Sequence, residues 1–269
     1  MSYLSGKVVW ITGASSGIGE AVAYELARQG ARLIISARRK TELERVKGAC
    51  KDISQAPIEI LPLDLGEANS LQLTTGAAIQ LYGQIDILIN NGGISQRGLA
   101  KETSLEVDRR IMEVDYFGTV ALTKYLLPHF LKRGMGHFVV TSSMVGIIGT
   151  PYRSGYSAAK HALHGFFDSL RAELWKDCKE IYVTIICPGW INTNLSLVAL
   201  KGDGSPQNAK DDTHEKGLSP DYVAKKIVDA IVNKKSEIYV GGWKETMAGY
   251  VKRFFPGLFE RIIRNVKVK

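Results

Sequence analysis

The sequence predicts an α/β fold, a doubly wound and mostly parallel sheet of seven strands with helices on both faces. Three observations predict it: short, nearly unbroken apolar runs recur along the chain, amphipathic segments separate them, and a Gly-rich turn follows the first run. Strands buried on both faces read as continuous apolar runs, and parallel neighbours need helical crossovers.

The elements follow in order. Residues 7–11 (KVVWI) form the first strand, with helix over 19–28; residues 32–36 (RLIIS) form the second, with helix over 41–51. The run 58–63 (IEILPL) is the third strand, and Pro62, which cannot donate to a ladder, argues for its end. Helix over 70–81 leads to the fourth strand at 85–89 (IDILI). One long helix is expected from about 104 to 132, before the fifth strand at 137–141 (HFVVT). Helix over 156–175, a sixth strand at 181–186 (IYVTII), helix over 220–232 and a last strand at 237–240 complete the pattern.

The 269 residues, 45% hydrophobic and 23% charged, suit one large α/β domain, and no linker or repeat divides 1–269. The formal charge is +8, but Lys and Arg are scattered except at Arg38-Arg39-Lys40 and in the last turns of the chain. Without an aromatic-interleaved basic array or zinc-finger spacing, nucleic-acid binding is not expected. Cys50, Cys178 and Cys187 make an odd set with no CxxC spacing, which points to a reducing, cytoplasmic compartment rather than a disulfide framework. A first strand beginning at Lys7 leaves no room for a signal peptide, and no apolar run approaches the roughly 18 residues of a spanning helix. A soluble chain is expected.

On such a sheet, ligands bind outside the carboxyl ends of the strands. After the first strand comes Thr12-Gly13-Ala14-Ser15-Ser16-Gly17-Ile18-Gly19. Gly13 permits a tight turn, Gly17 lets backbone N–H groups approach a pyrophosphate, and Gly19 lets the helix pack closely. The helix N-terminus then offers donors and its positive dipole end to the phosphates, as in a Rossmann-type fold. The second strand ends in Ser36-Ala37-Arg38-Arg39, with no acid to accept from a ribose 2′-hydroxyl. A guanidinium can hold a 2′-phosphate by charge-assisted hydrogen bonds, so NADP(H) is expected, with Arg38 its principal reader. Arg39 and Lys40 read as a solvated helix start.

Tyr156 and Lys160 stand at i and i+4, on one face of a helix. A phenol is a poor acid or base near neutrality, with an ordinary pKa of about 10, and an adjacent ammonium favours the phenolate. Tyr3/Lys7 and Tyr222/Lys226 share that spacing. Only Tyr156 opens the helix after strand five, downstream of the hydroxyls of Thr141-Ser142-Ser143.

With these motifs together, Asn90-Asn91-Gly92-Gly93 and Pro188-Gly189…Thr193 included, the sequence resembles the short-chain dehydrogenase/reductase family in its single-domain branch, over about residues 7–240. The look is closest to the NADP(H)-dependent carbonyl reductases grouped with 11β-hydroxysteroid dehydrogenases. The resemblance implies hydride transfer between nicotinamide and a ketone or secondary alcohol. It makes Tyr156 the general acid/base, has Ser143 orient the substrate oxygen, and has Lys160 lower the Tyr156 pKa and hold the ribose. The family's Ser-to-Tyr spacing selects Ser143 over Ser142. Asp64 and Leu65 resemble the adenine-contacting pair, Asn91 the residue stabilising the core beside the cofactor, and Thr193 the hydroxyl on the carboxamide. Pro188, Gly189, Ile191, Gly92, Ser15, Ser16 and Ile18 complete the implied cofactor site. A homodimer or homotetramer is implied too.

Two residues depart from the family pattern. Gly92 replaces a usual Ala, a mild change. Asp115 stands where the family carries an Asn that supports a proton relay from Lys, and a charge so near Lys160 alters both groups. That departure favours the rival reading, an NADP(H)-binding sensor or scaffold with little turnover; a sugar-nucleotide epimerase is weakened by the short chain.

Met144, Val145, Tyr152 and Trp190 flank the reacting groups and are candidates for an apolar substrate pocket, with ordinary packing the alternative. By the resemblance, a substrate lid is expected over about 194–217. His161 and His164 stand at i, i+3 with no carboxylate at ligand spacing, so no metal is expected. At about 250–269, Phe254, Phe255, Leu258, Phe259, Ile262, Ile263 and Val266 alternate with Lys252, Arg253, Arg261, Arg264, Lys267 and Lys269. Such a basic amphipathic tail can lie on a membrane surface, cover a partner subunit or close its own domain.

Overall fold

The computed structural model describes residues 2–209, 211 and 215–266. Seven strands form one sheet in the order β3-β2-β1-β4-β5-β6-β7, every neighbouring pair parallel. They are β1 Val8–Thr12, β2 Arg32–Ser36, β3 Ile58–Ile60, β4 Ile87–Asn90, β5 Gly136–Thr141, β6 Ile181–Pro188 and β7 Glu237–Val240.

Period-two alternation sorts the strand side chains between two cores. From β1, Val9 and Ile11 pack on the face covered by α1 (Gly17–Arg28), α2 (Lys40–Ile53) and a later helix, Pro220–Val232. Val8 and Trp10 pack on the other face, under α3 (Ala68–Tyr82) and two further helices, Gly118–Arg133 and Ser154–Asp177. Burial on both faces is why these strands read as unbroken apolar runs. Chain order reverses between β1 and β4, the switch point at which ligands bind such sheets.

The long helix expected over 104–132 is instead three pieces. α4 (Leu105–Ile111) runs into a π-helical turn, Met112–Phe117, and then α5 (Gly118–Arg133). The wider turn sends Asp115 inward, where Oδ1 accepts from the Ile94 N–H at 2.7 Å. Gly118 sits so close to the Leu65 carbonyl that a Cβ would stand 2.4 Å from it. π-turns of this kind recur at functional sites. Further α-helices among the described residues are α6 (Ser154–Asp177), α7 (Pro220–Val232), α8 (Trp243–Phe254) and α9 (Pro256–Ile263). α7 starts from Ser219, whose hydroxyl accepts from the Tyr222 N–H at 3.3 Å, with Pro220 in its first turn.

The tail breaks at Pro256, and neither α8 nor α9 has a buried residue. Phe254, Phe255, Leu258 and Ile262 stay exposed, so the tail does not bury its apolar face in its own core. Lys267 and Lys269 of that tail lie outside the described residues, as do 210 and 212–214 of the expected lid. No helix among the described residues is long and apolar enough to cross a membrane.

Candidate active site

The ends of β1 and β4 are stitched together. Thr12 Oγ1 accepts from the N–H groups of Asn91 and Gly92, both at 3.0 Å. Asn91 Nδ2 returns hydrogen bonds to the carbonyls of Thr12 (3.3 Å) and Gly13 (3.4 Å). Gly13 takes φ +67, and a Cβ there would stand 2.7 Å from Gly92 Cα, so only glycine fits. Ser16 caps α1 with extended backbone and makes no side-chain capping bond, leaving the first N–H donors of the helix for an anion. Thr12 was not singled out by sequence; a lone Thr before a glycine carries little signal. Gly19 does not line the cleft but lies beneath it, where a Cβ would meet the Gly13 carbonyl at 2.3 Å. At Gly92 a Cβ would meet Leu65 Cδ1 at 2.6 Å, the end of a flexible side chain, and would stand 3.3 Å from Thr12 Oγ1 and 3.4 Å from the Gly13 nitrogen.

α6 carries Tyr156 and Lys160 inward, both buried. Lys160 Nζ donates to the Thr141 carbonyl at 3.1 Å, stands 3.2 Å from Asp115 Oδ2, and lies 5.6 Å from the Tyr156 ring centroid. The contact with Asp115 is an ion pair more than an aligned hydrogen bond. Ser143 Oγ donates to the Pro188 carbonyl at 3.3 Å and accepts from the Val145 N–H at 3.3 Å, on the cleft wall. Ser142 is committed elsewhere, its hydroxyl donating to the Lys160 carbonyl at 3.3 Å.

Burial opposes both charges of the Lys160–Asp115 pair. It pushes the Asp115 carboxyl above the ordinary carboxylate range, against the pull of Lys160 and the Ile94 N–H. On Lys160 burial pulls the pKa down, but the charge of Asp115 and that of Tyr156 outweigh it and hold the ammonium above its ordinary range. The sign for Asp115→Asn follows: with its partner's charge removed, Lys160 loses its proton at lower pH than in the native protein. The alkaline limb of kcat/KM is therefore expected to move to lower pH in Asp115→Asn. An alkaline limb that stays in place would disprove this.

The cleft along these groups measures about 1300 Å³, above the roughly 300–1,000 Å³ of ordinary ligand pockets. At one end stand Arg38 and Arg39, both exposed, with Arg39 Nη2 donating to Ser15 Oγ at 3.3 Å. Arg45 is tied to Glu20 and Glu42, at 2.7 and 3.0 Å. Ser36, at the end of β2, is buried and accepts from Trp10 Nε1 at 2.9 Å. The cleft passes Asp64, Leu65, Gly92 and Asn91, and its wall also includes Pro188, Gly189, Ile191 and Thr193. Met144, Val145 and Trp190 also line the cleft.

Tyr152 does not line the cleft, contrary to the sequence expectation. Its left-handed backbone, φ +64, turns the chain so that Arg153 faces the cleft instead, while the Tyr152 carbonyl accepts from the Gly98 N–H at 3.0 Å. Arg153 is fully buried, with its guanidinium 4.8 Å from the Trp190 ring centroid. Asp211 bridges Arg97 Nε at 2.7 Å and Arg153 Nη2 at 3.1 Å. The segment after β6 is thereby pinned: Leu200 bridges to Gln96 and Pro206, and Ser196 Oγ accepts from the Asp211 N–H at 3.3 Å. Sequence reasoning missed this cluster because its members lie far apart along the chain.

The glycine cradle that a Cβ would fill, the uncapped helix N-terminus and the size of the cleft suit a dinucleotide. The family model for short chain dehydrogenase matches residues 7–201. A Drosophila melanogaster protein, dehydrogenase/reductase SDR family protein 7-like, is 47% identical over 99% of this chain and 82% of its own length. Human dehydrogenase/reductase SDR family member 7 is 41% identical over 94% of this chain and 75% of its own. Among solved structures, a short chain dehydrogenase/reductase from Burkholderia phymatum in complex with NAD has a TM-score of 0.85 at 22% identity, covering 96% of both chains, a likeness of fold. An alcohol dehydrogenase from the archaeon Thermococcus sibiricus, complexed with 5-hydroxy-NADP, has a TM-score of 0.75 at 27% identity, covering 89% of this chain and 97% of its own. With a family model matched across most of the chain, a doubly wound parallel sheet and relatives similar over nearly the whole of this chain, it belongs to the short-chain dehydrogenase/reductase family of oxidoreductases.

Proposed function

We propose that the protein is an NADP(H)-dependent reductase of ketones, or dehydrogenase of the corresponding secondary alcohols. The observation that carries the reading is one wall holding Ser143, Tyr156 and Lys160 together in the cleft that begins at the glycine loop. Bound nicotinamide supplies or accepts the hydride. Tyr156 gives a proton to the carbonyl oxygen in reduction and takes it from the hydroxyl in oxidation. Ser143 holds the same oxygen, exchanging its hydrogen bond to the Pro188 carbonyl for one to substrate. Lys160, held between Asp115 and the Thr141 carbonyl, keeps its ammonium beside the Tyr156 ring and is the residue to bind the ribose hydroxyls. Met144, Val145 and Trp190 favour an apolar substrate.

The 2′-phosphate would rest on Arg38 and Arg39, at a β2 terminus without a free acid. Arg38→Ala combined with Arg39→Ala is expected to lower kcat/KM for NADPH by about 10- to 150-fold, the value of one strong charge-assisted bond or more, and to leave NADH nearly unaffected. Assay of a ketone panel with both cofactors checks the reading, and a native preference for NADH would overturn it.

One observation favours a second reading, a cofactor-binding sensor with little turnover: Asp115 engages Lys160 directly. Uniformly negligible NADPH oxidation across the panel, equal to that of Tyr156→Phe, would select it. The exposed apolar face of α8 and α9, with the exposed Arg253, Arg261 and Arg264 on or at the end of the same two helices, suits a second copy of the chain or an anionic bilayer. Size-exclusion chromatography and co-sedimentation with anionic vesicles distinguish the two.

A further inference from the structure

Behind the reacting groups, three side chains that play no part in the chemistry above converge. His164 lies one turn beyond Lys160 on α6, Cys187 sits on β6 just before Pro188, and Glu237 opens β7. One ligand atom from each lies within 4.8 Å of the other two. His164 Nε2 stands 3.7 Å from Cys187 Sγ, and its Nδ1 stands 3.9 Å from Glu237 Oε2.

We propose that His164, Cys187 and Glu237 form a site for a borderline-soft divalent cation, with zinc the best match. Bonds of about 2.3 Å to sulfur and 2.0 Å to nitrogen at a tetrahedral angle place those two ligand atoms about 3.5 Å apart, close to the separation found here. The carboxylate would have to close in from within 4.8 Å, and Glu237 is partly exposed, which leaves its side chain room to move. An imidazole, a thiolate and a carboxylate select zinc or a neighbouring transition metal over magnesium and calcium, which want oxygen alone. The imidazole is ready: burial lowers the His164 pKa, so the ring is neutral near pH 7. Cys187 is fully buried as a thiol, its pKa raised by burial, and the cation would displace that proton to solvent as the sulfur–metal bond forms. The fourth position would face water on the side where His164 and Glu237 are partly exposed. Spacing along the chain could not reveal the set, because α6, β6 and β7 each contribute one residue. A bound ion would cross-link the helix bearing Tyr156 to the two strands beside it.

Titration of the full chain with Co2+ and then Zn2+ tests the site. One equivalent of Co2+ is expected to produce a near-ultraviolet thiolate-to-cobalt charge-transfer band that Zn2+ abolishes, and Zn2+ but not Mg2+ is expected to raise the Tm. Cys187→Ser should remove the band although Cys50 and Cys178 remain. Glu237→Gln, at a partly exposed position that tolerates the change if Cys187→Ser misfolds, should weaken Co2+ binding at least about 10-fold. No band in the native protein, a band that survives Cys187→Ser, or Co2+ affinity unchanged in Glu237→Gln would overturn the proposal.

Discussion

Tyr156→Phe is expected to lower the rate of ketone reduction by about 10² to 10⁴-fold, the range that a positioned proton donor contributes. The substitution is selective because little else depends on the hydroxyl. The Tyr156 ring packs in a small cluster with Val107, Ile111, Val145 and Ala159, and Phe preserves all of that surface. Lys160 keeps both its Asp115 and Thr141 contacts, so its position does not rely on the phenol. Truncating Lys160 instead would strand the Asp115 carboxylate, which has no solvent exposure, and would confound catalysis with folding. Steady-state NADPH oxidation with a reactive ketone measures the effect, alongside cofactor binding by fluorescence titration. Turnover retained within a factor of ten would remove Tyr156 as the proton donor.

The strands were legible because each is buried on both faces, and the glycine loop was legible because a strand end, a tight turn and a helix start all demand it at once. The Tyr–Lys pair shows where local pattern stops informing. Lys226 lies 5.4 Å from the Tyr222 ring centroid on α7, nearly the geometry of Lys160 and Tyr156, yet Tyr222 is 46% exposed. Spacing i, i+4 brings any such pair together; place in the chain, at the start of the helix after strand five, singles out Tyr156 in the sequence, and burial beside Lys160 sets it apart in the structure. The π-turn escaped a reading based on periodicity because its cause is tertiary: a carboxylate drawn toward Lys160 and the Ile94 N–H. Arg153 escaped for a related reason, since a left-handed Tyr152 exchanges which neighbour faces the cleft. The Asp211 and Cys187 clusters depend on contacts between distant segments, which no window along the chain contains.

Asp211→Ala is expected to destabilise the fold by about 3 to 5 kcal/mol, the usual cost of removing one partner from a buried ion pair. Asp211 is 2% exposed at its side chain, as is Arg153, and Arg97 is 1% exposed. Loss of the carboxylate leaves two buried guanidinium groups without the acceptor they share, and it also takes a partner from Gln207 Nε2, 2.9 Å away. At roughly 2 to 4 °C per kcal/mol for a chain of this size, Tm should fall by about 10 °C. Burial raises the Asp211 pKa, but Gln207, Arg97 and Arg153 outweigh it, and the folded value lies below the ordinary one. The stability from this carboxylate is therefore present above the unfolded pKa of about 4 and is lost as pH falls through the folded value. The native protein and Asp211→Ala should accordingly differ most near neutrality and converge in acid. The cluster also frames the part of the cleft proposed to take the substrate, through Arg153 against Trp190 and through Leu200 bridged to Gln96. Below its own Tm, then, the variant should show a raised KM for ketone with the KM for cofactor little changed. Thermal melts at pH 7 and pH 3 with paired KM measurements decide it: an equal Tm gap at both pH values would show that the charge of Asp211 is not what holds the two arginines.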